Sequence, residues 1–393
     1  MITPTESEDN QIVKAALMEI LQQKNRLTFA EFMELALYHP KGGYYNNRSS
    51  LIGARGDFYT APQLTPVFGE LIALQLKEMW ERLGQPSNFA IVEMGAGQGT
   101  LAGDILLYLK ANAPQLWENL VYRIVEISPI LAEAQAHRIG VLPDGADLLK
   151  HVAWVGWDEI ASDSVIGCFL SNELVDAFPV HLVSVSNGKL QEIYLTQNEA
   201  GELVEETGEL STPALETYFK TLGLDIASYE EDYRTEVNLH ASPWLSRVAE
   251  KLQRGYILTI DYGYEAKSRF HPRRMSGTLQ CYYRHQVSHN PYLNLGNQDI
   301  TAHVDFSTLL NTGVALGLTT PGLISQAEFL GGLGIGEHFV QMSASTNSPN
   351  EVLAQREALL RLISPNEMGN FKVLLQVKNA PLEPTLSGWS ACV

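Results

Sequence analysis

The first regular pattern along the chain is helical, with apolar residues recurring every three or four positions between Ile12 and Leu21. A second helix is predicted to begin at Thr28, because Glu31 three residues later completes a capping box. It should end near His39, since the proline that follows disfavours helical geometry in the residue before it. Two helices are therefore predicted to precede any sheet.

Further along, short apolar runs alternate with longer amphipathic stretches. The runs predicted as buried strands lie at 89–94, 121–126, 151–155, 165–171 and 255–263. Strands that alternate with helices are typical of a doubly wound sheet, so we predict an α/β fold with an N-terminal helical region and inserted segments. A last apolar run at 371–377 should complete the sheet as an antiparallel edge strand.

The same patterns predict a division of the chain into two parts. Residues 1–65 should form the N-terminal helical region with a lid loop, and residues 66–393 the catalytic domain. Insertions are predicted in that domain at about 180–240 and about 264–305.

Two features mark the first insertion. Asn187-Gly188, between alternating apolar residues, predicts a two-residue β-hairpin. The glutamate-rich segment 197–233 is interpreted as peripheral helix and loop with no chemistry, in which Glu202, Glu205, Glu206 and Glu209 form a solvated face.

A glycine-rich turn follows the apolar run at 89–94. Glu93 stands two residues before the first of three glycines, Gly95, Gly97 and Gly99. A dinucleotide fingerprint spaces its glycines G-x-G-x-x-G and binds a pyrophosphate, which this acid would repel. The acid suits a cation instead, and the ammonium of S-adenosylmethionine (SAM) is one, with its carboxylate left for the amides at the helix start. The turn therefore favours SAM, while a glycine-bearing turn of any doubly wound domain is the alternative.

A second acid follows the next predicted strand. Glu126 ends the run at 121–126, and Ser128-Pro129 then begins a helix. In a doubly wound sheet, an acid at this strand end faces the ribose of a bound nucleoside and accepts hydrogen bonds from its hydroxyls. Because SAM and a nicotinamide cofactor share adenosine, Glu126 does not distinguish them, and the distinction depends on Glu93.

The candidate chemistry lies directly after the strand at 165–171. Asn172, Glu173 and Asp176 follow its carboxyl end, the edge at which open α/β sheets bind ligands. We interpret these three residues as catalytic, with solvated loop charges as the alternative for each acid.

Candidate substrate-binding residues come from two loops. Asp57 lies in the segment 56–62, which is interpreted as a lid or as a plain surface connection. Asp299, His303 and Asp305 lie in a second polar and aromatic segment and are candidates to line a substrate channel. The histidines of that region match no zinc spacing, so no metal is assigned.

Composition limits the classes of partner. The chain has 27 Lys and Arg against 45 Asp and Glu, a net charge of −18, which argues against nucleic acid and anionic membranes as partners. Its three cysteines show no paired spacing, which is typical of a reducing compartment. No apolar run approaches the ~20 residues of a membrane span, and the acidic start is unlike a targeting segment, so a cytoplasmic location is predicted.

Several ordered motifs together resemble one known family, the MidA-type SAM-dependent methyltransferases, relatives of a mitochondrial complex I assembly factor. These motifs are FMELALYHPKGGYY at 32–45, GDFYTAP at 56–62, FGE at 68–70, EMGAGQGTL at 93–101, NELVDAFPVH at 172–181 and DITAHVDF at 299–306. The resemblance implies a class I methyltransferase fold and, for the mitochondrial member, symmetric dimethylation of an arginine in a core complex I subunit. By position it also implies that Gly95, Gly97 and Gly99 form the SAM loop and that Glu126 holds the ribose.

An arginine acceptor would give the acids after the fourth strand a role. A guanidinium stays protonated at neutral pH, so nearby carboxylates must orient it and draw its charge away from the attacking nitrogen. Glu173 and Asp176 are the candidates for this role.

Alternatives from other classes stay open at this point. The chain is interpreted first as a protein arginine methyltransferase whose substrate is a protein, a complex I-type subunit by resemblance. A small-molecule methyltransferase, a non-catalytic assembly factor with a SAM-like site and, more distantly, a nicotinamide-dependent oxidoreductase are the others. A homodimer is also left open.

Overall fold

The structure is a computed structural model that describes residues 8–47, 60–343 and 348–392. It divides into two compact units, each built from separate stretches of the chain. The sheet unit comprises Tyr59–Leu174, Trp244–Tyr262 and Leu310–Val393, and the insertion unit comprises Met1–Phe58, Val175–Pro243 and Gly263–Leu309. The predicted domains 1–65 and 66–393 stay a prediction.

The helices, in chain order, are α1 (Gln11–Lys24), α2 (Phe29–Tyr38), α3 (Ala61–Leu64), α4 (Val67–Arg82), α5 (Thr100–Asn112), α6 (Pro114–Trp117), α7 (Pro129–Gly140), α8 (Gly145–Leu148), α9 (Ala214–Thr221), α10 (Ala241–Lys251), α11 (Ala266–Arg269), α12 (Phe306–Ala315), α13 (Gln326–Gly332), α14 (Ile335–Ser343) and α15 (Pro349–Ile363). Within the described residues, no helix is both long and apolar enough to span a membrane.

The strands are β1 (Leu27–Thr28), β2 (Phe89–Met94), β3 (Leu120–Val125), β4 (Val152–Val155), β5 (Val165–Asn172), β6 (His181–Ser186), β7 (Lys189–Gln197), β8 (Leu203–Gly208), β9 (Arg234–Val237), β10 (Leu252–Asp261), β11 (Gly263–Tyr264), β12 (Gln280–Tyr283), β13 (Gln286–Ser288), β14 (Asp299–Thr301), β15 (Val304–Asp305), β16 (Thr319–Ser325) and β17 (Lys372–Lys378).

A seven-stranded sheet in the order β16-β17-β10-β5-β2-β3-β4 forms the centre of the sheet unit. From β10 to β4 each pair is parallel, and β17 is antiparallel to both of its neighbours. All six residues of β2 are buried, as expected for a central strand covered by helices on both faces. The predicted α/β doubly wound sheet is therefore confirmed.

One sheet prediction is wrong in detail. The last apolar run does form an antiparallel strand, β17, but it lies between β10 and β16 rather than at the edge. The edge strand is β16, whose exposed and half-buried residues gave no clear strand pattern. Which neighbour a strand takes is decided by contacts distant in sequence, which a local pattern does not contain.

The insertion unit contains antiparallel sheets. The strands β1, β7, β6 and β9 pair in that order, with β8 added to β7, and β12, β13 and β14 form a separate three-stranded sheet. Helices α1 and α2 pack in the same apolar cluster as Leu182, Leu195 and Ile300. The predicted capping box between Thr28 and Glu31 is present at the start of α2.

The predicted hairpin is confirmed, and its surroundings are not as predicted. Asn187 and Gly188 both have positive φ, 53° and 67°, as a two-residue turn of this kind requires. The glutamate-rich segment that follows, however, contains the strand β8. Within it, both carboxylate oxygens of Glu205 accept hydrogen bonds from the guanidinium of Arg234, at 3.0 and 2.9 Å, so this side chain is not simply part of a solvated face.

Candidate functional site

The glycine turn between β2 and α5 has a backbone that only glycine adopts easily. Gly95, Gly97 and Gly99 have φ of 68°, 54° and 78°, in the left-handed region that a Cβ disfavours. A Cβ added at Gly95 would lie 2.7 Å from the nearest methyl carbon of Leu174. The turn thus brings backbone amides to the start of α5, where a helix dipole favours a carboxylate or phosphate.

Glu93 is buried beneath this turn. Its carboxylate is 3% exposed and accepts a hydrogen bond of 2.7 Å from the Tyr122 hydroxyl of β3. Burial raises the pKa of Glu93 to about 7, with a smaller increase from the nearby Glu126 carboxylate, and the Tyr122 bond opposes both. A cation bound against this carboxylate would lower its pKa and so be stabilised by it.

Glu126 lies just past β3, at the carboxyl edge of the sheet. One carboxylate oxygen accepts the backbone N–H of Ser128 and the other accepts the side-chain amide of Gln135, each over 2.9 Å. Burial raises the pKa of Glu126 despite these bonds. The next residue, Ile127, is apolar yet 67% exposed, so an apolar face lies beside the acid.

Gln135 of α7 is a functional candidate that sequence analysis missed. The residue is fully buried. Its amide nitrogen donates to the Gly97 carbonyl and to the Glu126 carboxylate, both at 2.9 Å. Its amide oxygen accepts the indole N–H of Trp154 at 2.8 Å. Because an indole only donates, this bond fixes which end of the amide faces the turn. Gln135 thereby ties the glycine turn to Glu126, a link invisible in the helical pattern of α7.

The predicted catalytic Glu173 has a strained backbone. Its φ of 52° lies in a region that costs a non-glycine residue roughly 1–2 kcal/mol. Its carboxylate accepts bonds from the Asn172 side chain at 3.1 Å and from the Ala61 backbone at 3.4 Å. The structure therefore brings Asn172 and Glu173 together at the carboxyl end of β5.

Asp261 ends the adjacent strand, β10, and completes this edge. Fully buried, it accepts the backbone N–H groups of Leu174 at 3.2 Å and Tyr262 at 2.8 Å. These bonds hold the chain just after Glu173 and fix where its side chain is presented.

Asp176, the third predicted catalytic residue, belongs to the insertion unit. There it is 5% exposed, and Asp299 is 1% exposed. The Tyr45 hydroxyl donates to Asp299 at 3.0 Å. Burial raises the pKa of Tyr45 well above its usual value, and the Asp299 and Asp176 carboxylates raise it further. Asp176 and the predicted substrate-binding Asp299 therefore lie in one cluster around Tyr45.

The other predicted substrate-binding residues lie elsewhere. The Asp305 carboxylate accepts the hydroxyls of Tyr218 at 2.8 Å and Thr308 at 2.6 Å. His303 lines a cavity in the insertion unit, and burial lowers its pKa to about 4, with nearby arginines adding to the effect. Asp57 lies outside the described residues. Across 8–47, 60–343 and 348–392, no group of three or more His, Cys, Asp or Glu side chains is arranged to hold a metal ion.

The chain is similar to known S-adenosyl-L-methionine-dependent methyltransferases. A model of a family of S-adenosyl-L-methionine-dependent methyltransferases matches residues 71–324. The chain is also similar to the crystal structure of a protein from Burkholderia thailandensis that is bound to S-adenosyl-homocysteine. That similarity has 30% identity and a TM-score of 0.85 and covers 97% of this chain and 95% of the other.

Two further relatives are named as protein arginine methyltransferases. A Drosophila melanogaster protein named protein arginine methyltransferase NDUFAF7 homolog, mitochondrial, is 29% identical over 88% of this chain and 80% of its own. The Homo sapiens protein arginine methyltransferase NDUFAF7, mitochondrial, is 26% identical over 91% and 82%. The predicted cytoplasmic location is wrong by this comparison, since these relatives are named as mitochondrial proteins.

Proposed function

Because the chain belongs to a family of S-adenosyl-L-methionine-dependent methyltransferases, we propose that it methylates arginine side chains of a protein substrate. SAM is the cofactor of this family. The relatives named as protein arginine methyltransferases support the choice of acceptor. By the same resemblance, the proposed substrate is a subunit of a complex I-type assembly and the proposed product is a symmetrically dimethylated arginine.

The observation that carries this proposal is the strained Glu173. A left-handed backbone at a non-glycine residue persists only where its surroundings enforce it, and such strain clusters at active sites. Glu173 stands at the carboxyl end of β5, the edge at which open α/β sheets bind ligands. A carboxylate there suits a guanidinium, which it can bind through two parallel hydrogen bonds.

The cofactor site is assigned to residues that fit SAM chemically. We propose that Gly95, Gly97 and Gly99, all with positive φ, form the SAM turn, that Glu93 binds the ammonium and that Glu126 binds the ribose hydroxyls. We add Gln135 as the residue that positions Glu126 and the turn. The exposed apolar Ile127 beside Glu126 offers a face for the adenine.

In the proposed reaction, the protein positions the acceptor guanidinium and controls where its charge is localised. The cofactor supplies a sulfonium methyl whose C–S bond breaks as an N–C bond to the acceptor forms. Glu173 would accept hydrogen bonds from the guanidinium and localise its charge away from the attacking nitrogen, with Asn172 orienting the carboxylate. One proton leaves the guanidinium for each methyl group it gains, and Glu173 is placed to receive it.

The insertion unit contains a cluster of buried acids of its own. Asp176 and Asp299 are buried around the Tyr45 ring, and the Tyr38 ring stacks on Tyr45 with centroids 5.4 Å apart. Carboxylates beside aromatic faces favour a planar cation. Asp176 stays a predicted catalytic residue, and Asp299, Asp57, His303 and Asp305 stay predicted substrate contacts.

The test is to find where the methyl group goes. Extracts of the host that lack this protein would be incubated with SAM labelled in its methyl group, with purified protein or with the Glu173→Gln variant added. Label recovered in dimethylarginine of one protein band, present with the wild type and absent with the variant, supports the proposal. Mass spectrometry of that band then identifies the substrate and distinguishes mono- from dimethylation.

Other outcomes would support the alternatives. Label that appears only in small-molecule fractions would favour a small-molecule methyltransferase. A protein that binds no SAM by calorimetry would favour an assembly factor with a SAM-like site.

A further inference from the structure

The insertion unit contains a cavity of about 690 Å³, in whose lining His303 is the single residue with a predicted part in methyl transfer. All of its lining residues belong to that unit. The residues that matter here are Glu205, Arg234, Glu236, Arg274, Leu279 and Tyr292. The volume is within the range of ~300–1,000 Å³ that is typical of small-molecule sites.

One of the two carboxylates in the lining is already bound on both oxygens. Glu205 receives both terminal nitrogens of Arg234, at 3.0 and 2.9 Å, and the Tyr292 hydroxyl at 2.7 Å. The Arg234 side chain lowers the pKa of Glu205 against the opposing effect of burial. This ion pair is therefore closed and contributes no net charge to the cavity.

The second carboxylate, Glu236, is also fully engaged. It forms a buried ion pair with Arg269, each side chain 2% exposed. It also accepts the Thr278 backbone and hydroxyl, at 2.9 and 3.1 Å, and the Leu279 backbone at 3.1 Å. Neither acid is left to attract a cation.

Arg274 is the lining cation that remains. Among the described residues its side chain forms no ion pair, and its Nε is buried without a hydrogen-bond partner. Its guanidinium lies over the Tyr264 ring, 4.9 Å from the centroid, which restricts its orientation. The lining thus carries one uncompensated positive charge, in a chain whose net charge is −18.

We propose that this cavity binds a small organic anion whose acid group pairs with Arg274. Leu279 and the Tyr292 ring supply apolar walls for the body of the ligand, so a carboxylate or phosphate ester with an aromatic or aliphatic body fits best. The proposal does not rest on methyl transfer, in which Arg274, Leu279 and Tyr292 have no assigned part.

The test compares probes of one shape and opposite charge. Benzoate and phenyl phosphate are the anionic probes, and benzamidine is the cationic counterpart of benzoate. We expect calorimetric titration of the full protein, saturated with S-adenosyl-homocysteine, to show binding of at least one anionic probe and none of benzamidine. The stronger of the two anions then shows whether the natural ligand is a carboxylate or a phosphate. Equal binding of benzamidine, or no binding of either anion, would overturn the proposal.

Variants show whether the binding depends on Arg274. Arg274→Gln should lower the affinity for the anionic probe at least about tenfold, since a charge-assisted hydrogen bond is lost. Its neighbour Arg273, which is exposed and does not line the cavity, provides the matched control, and Arg273→Gln should bind as the wild type does. If Arg274→Gln does not fold, Arg274→Lys keeps the charge and should still prefer benzoate to benzamidine. Unchanged anion affinity in a folded Arg274→Gln protein would contradict the assignment.

Discussion

The side-chain amide of Gln135 donates a hydrogen bond of 2.9 Å to the carboxylate of Glu126. Because the same nitrogen also holds the carbonyl of Gly97, one buried residue sets the spacing of two parts of the proposed cofactor site. Trp154 fixes the amide from the opposite end. We therefore expect Gln135 to act as a positioning residue, with an effect on SAM affinity that exceeds its effect on folding.

Gln135→Ala should weaken SAM binding about tenfold, since two hydrogen bonds that shape the site are lost. Gln326 offers a matched control, because it is also fully buried in the sheet unit and donates to the Leu362 carbonyl at 2.9 Å. Gln326→Ala should lower the melting temperature similarly and leave the SAM dissociation constant unchanged. Calorimetry and thermal unfolding of both variants make the comparison. Equal loss of SAM affinity in the two variants would mean that Gln135 acts only through stability.

Gly97→Val should abolish measurable SAM binding, because a branched side chain disfavours the φ of 54° at the centre of the proposed cofactor turn. Gly84 provides the control, with a φ of 80° and no atom within 4 Å of an added Cβ. Gly84→Val should carry the backbone strain, roughly 1–2 kcal/mol in unfolding free energy, and still bind SAM. The idea fails if both variants bind SAM equally well.

Glu173→Gln should lower turnover about a hundredfold, since the guanidinium would lose a charged partner and its alignment. SAM affinity should stay within about twofold, because Glu173 is not assigned to the cofactor. Glu118, which is exposed, supplies the control, and Glu118→Gln should keep full turnover. Initial rates of methyl transfer to the verified substrate decide the question, and unchanged turnover in Glu173→Gln would remove that role.

The Glu93 carboxyl should make stability depend on pH. Its folded pKa is raised from 4.5 to about 7, so the native state binds more protons than the unfolded state between those values. This group's contribution to stability is therefore greatest below pH 4.5 and is lost as pH rises to 7, by roughly 3 kcal/mol at most. Chemical denaturation across this pH range should show that the free energies of unfolding of the wild type and of Glu93→Gln differ most near pH 7 and become equal at low pH. A constant difference would contradict the raised pKa.

Asp104 needs a separate variant in that experiment. Burial raises its pKa from 3.8 to about 7 as well, so it adds a slope of the same sign. Asp104→Asn isolates this contribution. The free energy of unfolding of the Glu93→Gln, Asp104→Asn double variant should vary less with pH than that of either single variant.

The same group links SAM binding to pH. If Glu93 meets the ammonium, binding favours its ionised form, so SAM affinity should rise between pH 6 and about 7.5, below the range in which an α-amino group loses its proton. Glu93→Gln should remove this dependence. A pH-independent wild-type affinity would contradict the pairing.

Local sequence signals were sufficient where a short segment decides its own structure. The buried run ending in three glycines predicted β2 and the start of α5 at the observed residues. Asn187-Gly188 likewise predicted its hairpin, since only a few residue pairs accept two positive φ values.

Contacts between distant segments could not be predicted in this way. Gln135 is one polar residue in a helix, and only the fold shows that it faces Gly97 and Glu126. The strained φ of Glu173 is enforced by its surroundings rather than by its own propensity. The hydrogen bond from Tyr218 to the Asp305 carboxylate likewise joins residues 87 positions apart, which no local pattern contains.

The position of β17 affects how the protein must be made. Until the whole segment 262–371 has been synthesised, β10 has no partner along one side, and β16 has no strand to join. A nascent chain therefore exposes an open, apolar strand edge between the synthesis of Asp261 and that of Lys372, the kind of surface that promotes association between chains. The strand that is made last, β17, lies inside the sheet rather than at its edge. We therefore expect the chain to need chaperone protection during synthesis and to be sensitive to premature stops before residue 372.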